Sequence, residues 1–349
     1  MKQICFRVDA SNSVGMGHLM ECITLADFFY KNYECNFIFL VNDFAAINGV
    51  LSKYGYECLV MHHTENEDVE LESLKYYLQG KFVDIIVCNL LNRSDDYYRS
   101  LQILASHSVI ILDDEIQRQV PGDVVINFSI TQDPEFYSVF KESGTRYCIG
   151  PAYMPHSDEF YENWCIEKTI PEECKTIFVN QGGSDPFGLT AKIIRALELL
   201  DISQTIYVIM GDAISDKHRQ ELESMQGALE NRYIFEWGVT HTRMLEIMEK
   251  ADLAITAAGN TLYELAIFGV PSIVICHHER HQVVADKFAE RSAVINLGVG
   301  IQLHEDRIAD SVIHLLNDRQ ERAKLSTAIK KVIDGKGCRR ISGVLESIW

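Results

Sequence analysis

The run Ile4-Cys5-Phe6-Arg7-Val8-Asp9-Ala10-Ser11-Asn12-Ser13-Val14-Gly15-Met16-Gly17-His18 decides the fold. Ile4 to Val8 reads as a short buried strand, and Asp9 to Ser13 is turn chemistry. Downstream, Leu19, Cys22, Ile23, Ala26 and Phe29 recur at helical spacing. Gly15 and Gly17, set between strand and helix, let a ligand approach the backbone, and the first N–H groups of the helix then face it. His18 stands at this opening, where the positive end of the helix dipole favours the neutral imidazole, a form suited to a general base. A tight turn whose histidine merely caps the helix accounts for the same residues.

Outward from this segment, short apolar runs alternate with helical patterns. In the first half, 36–41, 83–89, 109–112 and 124–127 read as strands, and 44–54, 69–79 and 97–106 as helices. Such alternation implies a parallel sheet covered on both faces. The texture changes at Gly150-Pro151-Ala152-Tyr153-Met154-Pro155 and again at the polar stretch 171–175, after which the α/β pattern restarts. Strands are expected at 176–180, 205–210, 233–235, 253–256, 271–276 and 293–297, with a helix over 189–200. The expected organisation is a Rossmann-like domain over 1–150, a linker over 151–175 and a second Rossmann-like domain over 176–336. A last helix, within 337–349, would cross back onto the first domain. Two such α/β domains joined by a hinge suggest a ligand cleft between them.

At 349 residues, with 47% hydrophobic and 23% charged content, the chain has room for two ordinary globular cores. The net charge of −18 argues against a nucleic-acid or anionic-membrane surface, yet leaves room for a small anion held by local dipoles. No apolar run reaches the roughly 20 residues that span a bilayer, and no signal-peptide pattern opens the chain. The ten cysteines form no C-x-x-C and several lie in apolar segments, which favours buried thiols and a cytoplasmic setting. Nothing in the sequence bears on oligomeric state.

Two further strand-to-helix turns are candidate sites. Gly259-Asn260-Thr261 opens a helix after strand 253–256 and offers N–H groups to a diphosphate. Glu264, one turn in, is placed to accept hydrogen bonds from ribose hydroxyls. Asn260 or Thr261 capping the helix, with Glu264 completing the cap, is the plain alternative. Gly182-Gly183-Ser184-Asp185-Pro186 follows strand 176–180 and offers a second cradle, or an ordinary turn with proline near the helix start. His277, His278 and His281 invite a metal reading, but their spacing lacks a third ligand, and polar contacts to a sugar through Arg280 and Gln282 fit better. Asp113 and Asp114 after strand 109–112 form a possible acidic pair. No nucleophile elbow and no Walker lysine is present.

Together these segments resemble the GT-B-like nucleotide-sugar hydrolases of the PseG type and the related spore-coat SpsG proteins. The resemblance spans nearly the whole chain. It rests on Arg7-x-Asp9, Gly15-x-Gly17-His18, Leu112-Asp113-Asp114, Gly150-Pro151 and Gly182-Gly183-Ser184-Asp185-Pro186. It continues through Ala251-Asp252-Leu253, Ala258-Gly259-Asn260-Thr261-Leu262-Tyr263-Glu264, Gly269-Val270-Pro271-Ser272 and Gln282. The resemblance implies GT-B architecture and a UDP-linked amino-deoxysugar from which water displaces UDP at the anomeric carbon, a step towards pseudaminic acid. It implies His18 as the catalytic residue, Glu264 as the ribose-binding acid, and no metal or cofactor. Asp9 and Gln282 enter the binding set with it. Where the family reads G-x-G-H-x-x-R-C, this chain has Glu21, so an anion replaces a cation one turn from His18. Asn260 stands where serine is frequent. The second half also resembles the donor domain of MurG-type transferases, which makes a GT-B glycosyltransferase the nearest alternative. A non-catalytic nucleotide-sugar binder is the third.

Overall fold

The computed structural model describes residues 1–11, 16–112, 117–140, 144–229 and 232–348. Gly15, Asp113 and Asp114 lie outside the described residues. The chain divides into two compact units: Met1–Asp158 with the chain from Lys336 onward, and Glu159–Gly335.

The first unit runs β1 (Lys2–Val8), α1 (Gly17–Asn32), β2 (Cys35–Asn42), α2 (Ala45–Tyr54), β3 (Glu57–Met61), α3 (Glu67–Leu78) and β4 (Ile85–Asn89). It continues through α4 (Asp95–Leu104), β5 (His107–Leu112), β6 (Val124–Asn127), α5 (Pro134–Ser138) and β7 (Arg146–Ile149). Its described strands form one parallel sheet in the order β3-β2-β1-β4-β5-β6-β7. Strands β4, β5 and β6 are buried along almost their whole length, as strands covered on both faces must be. On one face, Cys5, Ile86, Cys88 and Ile110 pack against Leu71 and Leu74 of α3 and Tyr97, Tyr98 and Leu101 of α4. Helix α1 packs on the sheet through β1, β2 and β4.

The second unit begins within α6 (Asp158–Trp164) and runs β8 (Thr176–Asn180), α7 (Leu189–Leu197), β9 (Thr205–Met210), α8 (Asp216–Ala228), β10 (Tyr233–Trp237) and α9 (His241–Lys250). There follow β11 (Leu253–Thr256), α10 (Asn260–Phe268), β12 (Ser272–Cys276), α11 (Glu279–Glu290), β13 (Ile295–Val299), α12 (Glu305–Asn317) and α13 (Arg319–Ile329). Its sheet is again parallel, in the order β10-β9-β8-β11-β12-β13. Ile177, Val179, Leu253, Ile255, Ile273 and Ile275 share one face of β8, β11 and β12 and pack with side chains of α7, α8 and α12. The chain then returns to the first unit as α14 (Gly337–Glu346), which packs beside α1.

Both sheets are therefore Rossmann-type, with the strand order reversing between β1 and β4 in one and between β8 and β11 in the other. Strands β3 and β7 were not expected from sequence. Each is the edge strand of its sheet, short and partly exposed, so neither carries the apolar run that marks a covered strand.

Candidate functional site

In an open parallel sheet, ligands bind beyond the carboxyl ends of the strands where the order reverses. In the first unit this point holds a cavity of about 440 Å³, whose wall includes Asp9, His18, Asn42, His63, Asn89 and Arg93. Gly17 opens α1, whose amino end carries no side-chain cap, and His18 is buried in its first turn.

Beneath this cavity lies a charge network that the sequence reading did not find. The buried Arg7 guanidinium grips both carboxylate oxygens of Asp9, with Nη2 donating to Oδ2 at 3.0 Å. Its Nε donates to Glu70 Oε1 at 2.7 Å. Glu70, also buried, accepts from Arg93 Nη2 at 2.7 Å and from the Tyr97 hydroxyl at 2.7 Å. Asp9 Oδ1 takes the Asn42 backbone N–H at 3.1 Å as well. Two anions and two cations thus balance, and the neighbouring carboxylates hold the Arg7 pKa above its ordinary value against the opposing effect of burial. Asp9, expected as a ligand contact, spends most of its acceptor capacity on Arg7 and Asn42 and so shapes the cavity wall. Only the Arg7-x-Asp9 spacing hinted at this; Glu70 and Arg93 are more than 60 residues away from Arg7.

Glu21 is likewise inside the protein. Asn89 Nδ2 donates to Glu21 Oε2 at 2.9 Å and to the His18 carbonyl at 3.3 Å, tying the first turn of α1 to the end of β4. The Glu21 carboxylate, one turn from His18, is therefore an internal acceptor for Asn89.

In the second unit, Gly182, Gly183 and Ser184 follow β8, while Gly259, Asn260, Thr261 and Glu264 follow β11, its neighbour. Gln282 lies in the first turn of α11, after β12, the next strand along. The topology brings these three segments to one edge. The two turns differ in what they offer. Asp185 closes the amino end of α7: its Oδ1 accepts from the Leu189 N–H at 2.8 Å and its Oδ2 from the Thr190 N–H at 2.9 Å. An anion there would meet a carboxylate instead of N–H groups, so the cradle expected at α7 is already filled. Helix α10 has no side-chain cap at its amino end; Gly259 takes the cap position, and the space that a Cβ would fill there is empty to 4 Å. Glu264 makes no hydrogen bond or ion pair among the described residues, and burial pushes its carboxyl up to about 7.

Gln181 and Thr256 at this edge escaped the sequence reading, and His277 entered it only as a metal candidate. Gln181 is buried with neither amide atom partnered among the described residues, and the Thr256 hydroxyl and His277 Nε2 are in the same state. The histidines 277, 278 and 281 lie close in space, with ring centroids 5.2 Å apart for His277 and His281 and 4.1 Å for His278 and His281. His278 caps α11 by accepting from the His281 N–H. No group of three or more metal-binding side chains is assembled among the described residues. Nor is any helix among them long and apolar enough to cross a membrane.

Two parallel α/β units, each with its strand order reversing at a glycine-bearing strand-to-helix turn, define the GT-B-like class. Solved structures agree. MurG of Acinetobacter baumannii superposes with a TM-score of 0.70 at 14% identity, covering 99% of this chain and 100% of that one. S. aureus MnaA, solved with UDP, gives 0.68 at 12% identity, covering 99% and 96%. In sequence, the chain is 24% identical over 347 residues to the spore coat polysaccharide biosynthesis protein SpsG of Bacillus subtilis, covering 98% of this chain and 97% of that protein. The profile of the UDP-N-acetylglucosamine 2-epimerase family matches residues 188–346, which lie mostly in the second unit.

Proposed function

We propose that this chain acts on a UDP-sugar, breaking the bond between the anomeric carbon and the diphosphate. The second unit holds the nucleotide through the amino end of α10, with Glu264 accepting from the ribose hydroxyls. In the first unit His18 takes the proton of the nucleophile as its oxygen attacks the anomeric carbon, and UDP leaves with the bonding electron pair. A released diphosphate needs no strong acid when N–H groups at Asn260 and Thr261 share its charge. The observation that carries this reading is the pairing of an uncapped helix end at a switch point with an unpartnered carboxyl one turn further on.

Transfer of the sugar to an acceptor hydroxyl is the reaction the similar proteins favour. Over 112 residues the chain is 30% identical to a UDP-N-acetylglucosamine transferase of Carboxydothermus hydrogenoformans, and a calicheamicin glycosyltransferase shares the fold. Hydrolysis is the second reading, favoured by the order of the Gly15-x-Gly17-His18, Gly182-Gly183-Ser184 and Gly259–Glu264 motifs along the chain. It would place an amino-deoxysugar of a surface polysaccharide in the site.

The test is incubation with a panel of UDP-sugars, diacetamido-trideoxyhexoses included, in heavy-oxygen water, with and without acceptor alcohols. A sugar–acceptor adduct that forms only with acceptor supports transfer, and label in the free sugar supports hydrolysis. An epimeric UDP-sugar as the only product overturns both. His18→Ala should lower turnover by about 10²- to 10⁴-fold while leaving UDP affinity unchanged.

A further inference from the structure

Gln181, Ala257 and His277 come directly after Asn180, Thr256 and Cys276, the last residues of three adjacent strands. They continue the alternation of Ile177 and Val179, of Leu253 and Ile255, and of Ile273 and Ile275, so all three belong to one face of the sheet. A small alanine separates two polar side chains. His277 Nε2 is buried and has no hydrogen-bond partner among the described residues. Burial pushes the ring pKa down to about 4, so the imidazole stays neutral through the neutral pH range, with one ring nitrogen a donor and the other an acceptor. Beside it, the Gln181 amide holds a donor and an acceptor, both unpartnered, in a residue only 1% exposed.

An unmatched buried polar atom costs stability. Three such atoms in two neighbouring side chains, beside the Gly182 and Gly183 turn, call for a ligand that supplies their partners. Neither side chain is charged at neutral pH, so the pair offers a phosphate no cation. A neutral group with its own O–H or N–H fits both side chains.

We infer that Gln181 and His277 form a subsite for the sugar of the nucleotide-sugar, binding a hydroxyl or acetamido group that hydrogen-bonds both His277 Nε2 and the Gln181 amide. This rests on the reading of the second unit as the holder of a nucleotide-sugar. It makes the two residues determinants of sugar specificity, separate from those that hold UDP.

The test compares affinities for UDP, UDP-glucose and UDP-N-acetylglucosamine by calorimetry in the full chain, its Gln181→Met variant and its His277→Ala variant. Both variants should keep UDP affinity within about twofold and lose about tenfold for the UDP-sugar that the unaltered chain binds best. Gln181→Met, close in shape, removes two unmatched atoms and should melt at or above the temperature of the unaltered chain, so a fold defect cannot mimic the result. An unchanged ratio of UDP-sugar to UDP affinity in both variants overturns the subsite alone. An equal loss for UDP and UDP-sugar does the same. An unaltered chain that binds neither UDP nor UDP-sugar overturns the nucleotide reading, and the subsite falls with it.

Discussion

Glu264 is partly buried with no cation beside it, and that desolvation pushes its carboxyl up to about 7 from an ordinary 4.5. Between those values the folded chain holds a proton that the unfolded chain has released, so raising the pH through this window removes stability. Glu264→Gln should abolish that loss, which denaturant titrations at pH 5 and pH 7 will read. Ribose hydroxyls donating to Glu264 would stabilise its charged form and lower its pKa. UDP binding at pH 7 should therefore release roughly half a proton, as expected for a group titrating near that pH. Calorimetry in buffers of differing ionisation enthalpy measures this, and identical apparent enthalpies in both would remove the ribose assignment. At this scale the sequence was legible where a residue sits in a turn beside its own strand, as Glu264 and His18 do. It was silent where the partner is distant: nothing in the order of residues joins Asn89 to Glu21, 68 positions apart. That bond turns an apparent repulsion near the ligand into an internal link.

Elements meet at two places where single changes should have separable effects. Gly259 caps α10 in an extended conformation, φ −109°, that alanine can adopt. Alanine there meets no atom, so the change should cost at most about 1 kcal/mol in helix capping. The same methyl group occupies the approach to the helix N–H groups, so UDP affinity should fall about tenfold while the melting temperature hardly moves. A large drop in melting temperature with unchanged affinity would show that Gly259 serves the fold alone. Glu70 is the opposite case. It joins β1 to α3 and α4 through Arg7, Arg93 and Tyr97, and Glu70→Ala leaves the buried Arg7 with Asp9 alone and the partly buried Arg93 without its anion. Breaking such a buried pair costs about 3 to 5 kcal/mol, and denaturant unfolding should show a loss of that size. A loss below about 1 kcal/mol would mean that water reaches the two guanidinium groups. The central strands were readable because burial on both faces demands unbroken apolar runs. Strands β3 and β7 were not, because each is short and opens on an exposed charged residue, Glu57 or Arg146, that cuts its apolar run.

At the scale of the whole molecule, the first unit is discontinuous in sequence: its last helix arrives only after the entire second unit has been threaded. Helix α14 buries Cys338, Ile341, Ser342 and Leu345. At its start, Gly337 packs so tightly that a Cβ would come within 1.8 Å of the Met154 carbonyl oxygen. Arg340 donates to the Ala152 carbonyl at 2.9 Å, Arg339 to Asp158 at 3.0 Å, and Tyr33 of the α1 carboxyl end to Glu346. Burying Ile341 and Leu345 alone contributes about 3 to 6 kcal/mol, a large share of the 5 to 15 kcal/mol typical of a domain. A chain ending at Gly335 should therefore lose stability in the first unit while the second keeps its own core of β8, β11 and β12. Hydrogen exchange read by mass spectrometry should show faster exchange in β1 and β4 and protection unchanged in β8 and β11. Equal loss of protection in both units would mean that they unfold as one cooperative body. Loss in neither would mean that α14 contributes little to the unit it joins. The first outcome would leave the proposed nucleotide site intact in a chain whose His18 turn had lost its support, so UDP affinity should survive the truncation while turnover does not.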